Sequence, residues 1–600
     1  MNRQICGVAT VAALLGLAAC GSTSTPAPGS AAGKALVEEA TTGVTFSDDF
    51  NPFDSNSTAR AMNLASILYE PLYELDALDP TAAGSHPWLA TGYTFSNGGD
   101  SLAITVRQNV KFNDGSAFSA NDVAATFKAI KDQPKLDWSG VPVQTVDPSV
   151  SGNVVTLTFG SPQYTNLWSI LGSTFIVQSS VAQQLTTNPT MAITKPVGTG
   201  PFMLGAGGYT SQLITLTPNP HYWGGACNDK VPCTANGKPP ESKIEVPYIA
   251  DNNTAAQQLA SGNLDWAGND VPNVYQTFVN LNPLTNHAWF ASGNTVTLVF
   301  NLTGPHAVPA LKDAAVRRAI SMGIDRQALA QLGESGYEYP ATSSGGLILP
   351  NQKVYLSTNL ANDLPATPET SAAKASNDKW QGDTVEKELT GDGWTPPARW
   401  GTSTEVACDG TVVANCWHKG SEIIQFAIYD PQPFSDYWED ATLISQELQS
   451  EGMAVTTSDG KDYNTWNGNL VSGNFQAAIH WGQGGNIPYV QFYNWLSPAS
   501  QQAGSGNFGG VNDPAATALL HQYEGTDPSN TAQLTQVVQG LESYMSTNAP
   551  DVPLLYGADW NVFSSAKYVG WPSQSNPYMN PSPNDPEMPY ILMSLNPATS

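Results

Sequence analysis

The feature that most constrains this chain is a repeated change of hydrophobic period. Residues 244–249 alternate like a strand, 254–261 run at helical spacing and stop at Gly262, and Leu264-Asp265-Trp266 is extended again. A glycine just past a helix accepts the left-handed conformation that ends it. The pattern returns at 435–449, where Tyr437, Ala441, Ile444 and Leu448 share one helical face before Gly452, and strands then lead to Trp481. Alternating strands and helices of this kind predict an α/β fold. With 600 residues, 41% of them hydrophobic, the chain can build two or more domains around sizeable cores.

Local signals agree. Asn113-Asp114-Gly115 reads as a turn, and Ser119 with Asp122 as a capping box opening a helix with Val123, Phe127 and Ile130 on one face. Residues 61–73 read as helix and 295–301 as a buried strand. Pro309 is expected to open a helix in which Asp313 and Arg317 pair, and Asp325 to cap the next one. Residues 340–420, rich in Pro, Gly and polar side chains, form a surface excursion. Gly198-Thr199-Gly200 is followed by Pro201, which spoils a dinucleotide loop.

The first residues are a targeting segment. Arg3 precedes a small-residue apolar run at 8–19, too short to span a bilayer. Leu17-Ala18-Ala19-Cys20-Gly21 resembles the bacterial lipobox, which implies cleavage after residue 19 and lipidation of Cys20. Acyl chains on one cysteine anchor a protein at a membrane surface, and residues 20–40 are expected to be a flexible tether. Export favours disulfides, and the other cysteines fall into two local pairs, Cys227 with Cys233 and Cys408 with Cys416. Neither pair has zinc-type spacing. The net charge of −27 argues against nucleic acid, whose phosphates need clustered Lys and Arg.

The stretch with most chemistry is 475–496, FQAAIHWGQGGNIPYVQFYNWL. A short apolar strand ends at Trp481 and breaks into a turn with Gly482, Gly484 and Gly485. Flat apolar faces and neutral amides surround that turn: Trp481, Gln483, Asn486, Tyr493 and Trp495. Such a wall suits a polar, mostly uncharged solute.

Taken together, KFNDGSAFSANDVAATF at 111–127, PVGTGPF at 196–202, NPHYW at 219–223, LASGNLDWA at 259–267, LKDAAVRRAISMGIDRQAL at 311–329 and NFQAAIHWG at 474–482 resemble family 5 of the solute-binding proteins of bacterial ABC importers. The resemblance implies a periplasmic-binding-protein-like α/β fold, type II and cluster C-like, with two hinged lobes and an extra subdomain on lobe one. Mapped here, lobe one takes 40–70, 194–292 and 554–600, the extra subdomain 71–193, and lobe two 293–553. It further implies a monomer that captures a solute outside the cell and delivers it to a permease driven by a cytoplasmic ATPase. No cofactor, metal or catalysis is expected. A secreted glycoside hydrolase is the reading from another class; it needs a carboxylate pair across a cleft, and 51 Asp and Glu make candidate pairs uninformative.

In the family's peptide binders the Trp-Gly strand end continues to an aspartate that pairs with the peptide amine. Here that slot holds Gly484. Burying an ammonium without a counter-ion is costly, so the reading favours an oligosaccharide, with an oligopeptide as alternative and Glu70, Asp265 or Asp270 as substitute carboxylates. The expected ligand-binding set is Trp481, Gln483, Asn486, Trp266, Phe53, Tyr493 and Trp495. His480, on an apolar strand, is expected to be a core histidine.

Overall fold

The computed structural model describes residues 34–79, 84–137, 141, 147–224, 239–352, 355–364, 384–398, 408–482, 484, 487–527 and 530–598. Cys20, Cys227, Cys233, Gln483 and Asn486 lie outside the described residues.

One mixed sheet of eleven strands runs through the molecule. From one edge its order is Ala454–Asp459, Gln425–Asp430, Ala477–Trp481, Asn286–Phe300, Asp551–Ser564, Trp266–Ala267, Ala35–Glu39, Lys243–Pro247, Leu213–Pro218 and Phe202–Tyr209. Tyr339–Pro340 adds to the Asp551–Ser564 strand off this path. Gln425–Asp430 and Ala454–Asp459 are parallel and joined by helix Ser435–Ser450, a right-sized crossover for such a pair. A separate four-stranded antiparallel sheet, built within 90–158, packs with helix Ala120–Asp132.

The apolar side chains form two principal clusters. One gathers Leu36, Phe50, Trp88, Phe127, Ile214 and Leu592 with the four-stranded sheet. The other gathers Val296, Ile320, Phe426, Ile444, Trp466 and Leu555. The Asn286–Phe300 and Asp551–Ser564 strands, paired antiparallel, carry the chain between them. Their ladder slips once between Ser292 and Asn294 and again between Val296 and Thr297. Burial along Asp551–Ser564 is nearly continuous, as expected for a strand covered on both faces.

The capping box at Ser119 and Asp122 forms, and Asp325 caps its helix through the Ala328 amide. Cys408 and Cys416 are joined by a disulfide. Three local expectations change. Residues 35–39, assigned to the tether, are a strand inside the main sheet, because alternate side chains there meet core on both sides. The 61–73 helix is two short pieces, Thr58–Ala61 and Leu64–Leu68, separated by Asn63 in the left-handed region at φ 50°. Pro309 opens a short 3-10 turn, so Asp313 caps helix Ala314–Met322 instead of pairing with Arg317. The buried Arg317 guanidinium donates to the carbonyls of Ala549, Leu311 and Asn548. Arg318 pairs with Glu388 at 2.5 Å.

Candidate functional site

A cavity of about 330 Å³ lies between the two clusters, beside the crossing strands. That is the lower end of volumes that hold small-molecule ligands. Trp481 closes strand Ala477–Trp481 and lines the cavity. It is flanked there by Tyr437 (ring centroids 6.1 Å apart) and Phe434 (6.2 Å) from helix Ser435–Ser450 and its entry. The lining also includes Trp560, braced edge-on by Phe290 at 4.7 Å and Tyr337 at 5.4 Å. Amides of Asn63, Asn252, Asn294, Asn467 and Asn580 are part of the neutral lining.

The remaining expected residues sit elsewhere. Trp266 is 0% exposed; its indole N–H donates to Asn561 Oδ1 at 2.9 Å and its ring packs edge-on against Trp571. Phe53 is buried in the first cluster, where its amide closes a turn on Asn51 Oδ1. Trp495 lies fully buried behind Gly482, and the half-buried Tyr493 packs on Tyr489. Both belong to helix Tyr489–Leu496, whose apolar side fills the second cluster. None of these four lines the cavity. His480 is buried against Trp466 (5.0 Å, nearly parallel) and Phe508 (4.8 Å), and also touches the cavity. Burial pushes its imidazole down to about 4, so it is neutral at pH 7.

The empty carboxylate slot has a steric cause. A Cβ at Gly484 would stand 2.1 Å from the Gly293 carbonyl oxygen, so no side chain fits. Gly293 is itself pressed by Asp559, whose carboxyl oxygen would lie 1.8 Å from a Cβ there. Among the substitutes, Asp270 lines the cavity. Glu70 does not; it accepts hydrogen bonds from the indoles of Trp88 and Trp223. Asp265 pairs with Lys567 at 2.6 Å.

The cavity is acidic. Asp270, Glu338, Asp436, Asp559, Asp585 and Glu587 line it, and among the described residues Arg60 is the one Lys or Arg on the wall. Desolvation, reinforced by the neighbouring carboxylates, holds Asp270, Asp585 and Glu587 well above the carboxylate range. Burial likewise lifts Asp436 to about 6, Asp559 to about 7 and Glu338 to about 8. The sequence reading missed this set. One partial signal is Asp559, which stands within a strand whose burial is nearly continuous, where a carboxylate is expensive unless something pairs with it.

Polar contacts join segments far apart in sequence near the cavity. Asn467 Nδ2 donates to Asn56 Oδ1 at 3.1 Å, the Thr45 amide to Asn464 Oδ1 at 3.0 Å, and Asn252 Nδ2 to Asp436 Oδ1 at 3.3 Å. Asn467, Asn252 and Asp436 line the cavity. Among the described residues no helix is long and apolar enough to cross a membrane.

Comparison with known proteins agrees with this architecture. The nickel-binding periplasmic protein of Escherichia coli K12 is 29% identical over 280 residues, covering 45% of this chain and 49% of that protein. The glutathione-binding protein GsiB of Salmonella typhi is 28% identical over 300 residues, covering 49% and 53%. The matched region thus spans about half the length of these curated relatives. A Thermotoga maritima periplasmic oligopeptide-binding protein of an ABC transporter, solved with mannohexaose, superposes at TM-score 0.75 with 20% identity over 95% of this chain and 99% of that one. The Bacillus subtilis oligopeptide-binding protein AppA, solved with a nonapeptide, gives 0.70 at 17% identity over 94% and 99%. The fold is therefore that of the periplasmic binding proteins. Residues 85–503, more than half of the chain, match the model of the bacterial extracellular solute-binding proteins, family 5. The chain belongs to that family, the solute-binding proteins of ABC importers.

Proposed function

We propose that the protein is an extracytoplasmic, lipid-anchored receptor that captures an organic solute between two closing lobes and hands it unaltered to its permease. The single observation that carries this reading is Trp481 facing a cavity that both halves of the chain help to wall. Lobe one would comprise about 40–70, 194–292 and 554–600, with 71–193 as its extra subdomain and 293–553 as lobe two. Hinge closure around a ligand is a known mode of motion for such proteins. Cys20 would carry the lipid and residues up to Lys34 the tether.

The rings of Trp481 and Trp560, which line one cavity together with asparagine amides, suit a short oligosaccharide: flat faces stack on sugar C–H surfaces and amides bond hydroxyls. An oligopeptide is the second reading; the wall carboxylates favour it, since they offer partners for an α-amine. Mass spectrometry of the solute released from purified protein tests both. A bound sugar or peptide supports capture, and a thermal shift on adding it back without product formation separates a receptor from a hydrolase. Release of cleaved products would overturn the receptor reading.

A further inference from the structure

The walls hold more negative groups than an uncharged guest needs. Asp270, Glu338 and Asp559 are 4%, 7% and 7% exposed, and each keeps one carboxyl oxygen without a hydrogen-bond partner: Asp270 Oδ1, Glu338 Oε2 and Asp559 Oδ2. Glu587 Oε2 is in the same state. The other oxygens are tied to the fold: Glu338 Oε1 accepts from the Ala558 amide at 2.8 Å and Glu587 Oε1 from the Ala77 amide at 3.1 Å. Asp585 accepts from Asn580 Nδ2 at 2.7 Å. Among the described residues, no ion pair includes any of the six wall carboxylates. The Arg60 guanidinium stands over the Phe175 ring at 5.7 Å.

The carboxylates come from distant segments. Asp270 follows strand Trp266–Ala267, Glu338 precedes Tyr339–Pro340, Asp559 lies on the crossing strand, and Asp585 and Glu587 precede helix Met588–Ser594. Folding gathers like charges that repel one another. An interior carboxylate without a partner costs several kcal/mol unless it is protonated or paired. A bare metal ion is a poor occupant: among the described residues no three His, Cys, Asp or Glu converge as a metal site requires. Electron-rich faces of Trp481, Tyr437 and Trp560 border the same space and attract organic cations.

We propose that the solute carries protonated amine groups and that Asp559, Glu338 and Asp270 receive them in the cavity that Trp481 and Trp560 also line. The proposal rests on this cavity being the solute site and names the chemistry the site selects. An amino-sugar oligomer, a basic peptide and a linear polyamine all carry it.

Isothermal titration calorimetry at pH 7 on the full chain separates these sources with four probes: a glucosamine trimer, its N-acetylated counterpart, trilysine and spermidine. At least one amine binds, and the N-acetylated trimer binds at least tenfold more weakly than its amine twin or not at all. Asp559→Asn, nearly isosteric, weakens the amine that binds by tenfold or more; Glu338→Gln is the second variant, in case the first does not fold. Failure of every amine to bind at millimolar concentration overturns the proposal. So does equal binding of the acetylated twin, or a copurified solute without an amine. Trp481→Ala distinguishes the underlying reading: amine binding unaffected by that change moves the site elsewhere, while Trp481-dependent binding of a neutral solute keeps the site and refutes the cation.

Discussion

Replacing Trp481 with alanine isolates the ring face from everything else in the cleft. The ring packs with Tyr437 and Phe434 and with Trp466, 5.6 Å away. Its loss removes one wall of the cavity and opens the pocket to water. Truncating a central aromatic of this kind costs about 1–3 kcal/mol of binding, or roughly 5- to 150-fold in Kd. Its ring contacts with Tyr437 and Phe434 contribute about 0.5–1.5 kcal/mol each to stability, so the midpoint of thermal unfolding falls too. The comparison variant is Trp266→Phe. It strands the buried Asn561 Oδ1 without its indole donor, costing about 1–3 kcal/mol of stability. The prediction is a double dissociation: calorimetry with the copurifying solute finds weakened binding in Trp481→Ala only, while thermal unfolding finds both variants destabilised. Unchanged affinity in a folded Trp481→Ala protein refutes the placement, as does an equal loss in Trp266→Phe.

Other outcomes follow from the same geometry. The wall carboxylates, Asp436 at about 6, Asp559 at about 7 and Glu338 at about 8, bind more protons folded than unfolded, so the solute-free protein loses stability as pH rises from about 4 through 8. Asp270, Asp585 and Glu587 share that direction, Arg60 is the facing cation, and the lowered imidazole of His480 opposes it only between about 4 and 6.5. Scanning calorimetry at pH 5 and pH 8 checks it, and a higher unfolding temperature at pH 8 contradicts it. An amine solute pairs with ionised carboxylates, so its affinity rises from pH 6 to pH 8 with net proton release, about tenfold for a group titrating near 7. Gly484→Ala drives a Cβ into the Gly293 carbonyl and is expected to cost about 1–3 kcal/mol, read by urea unfolding. Cys408→Ser opens the loop closed by the 408–416 bridge and lowers stability by about 2–3 kcal/mol in the chain-entropy model; no change on reduction of the wild type argues against it.

The legible parts of this chain were those fixed locally. The Ser119–Asp122 cap, the left-handed glycines after the 252–260 and 435–450 helices, and the strand ending in Trp481 depend on near neighbours, and their residue types announce them. Trp266 misled because a two-residue strand gives no period from which to tell its faces. Trp495 misled because its helix presents several aromatics to the reader, and they pack in the second cluster without lining the cavity. The acidic wall was out of reach for another reason. Asp270, Glu338, Asp436, Asp559, Asp585 and Glu587 come together from segments far apart in sequence, and a sequence with 51 carboxylates does not mark which six meet.

The paired strands Asn286–Phe300 and Asp551–Ser564 have a mechanical consequence. In the hinged reading proposed above, two ladder-bonded strands would resist sideways drift far better than two loose linkers, leaving the halves they join essentially one degree of freedom, rotation about the irregularity at Ser292–Asn294. A joint with so few ways to move forfeits little disorder when it shuts. What the guest contributes by touching both sides would then go mainly into holding on.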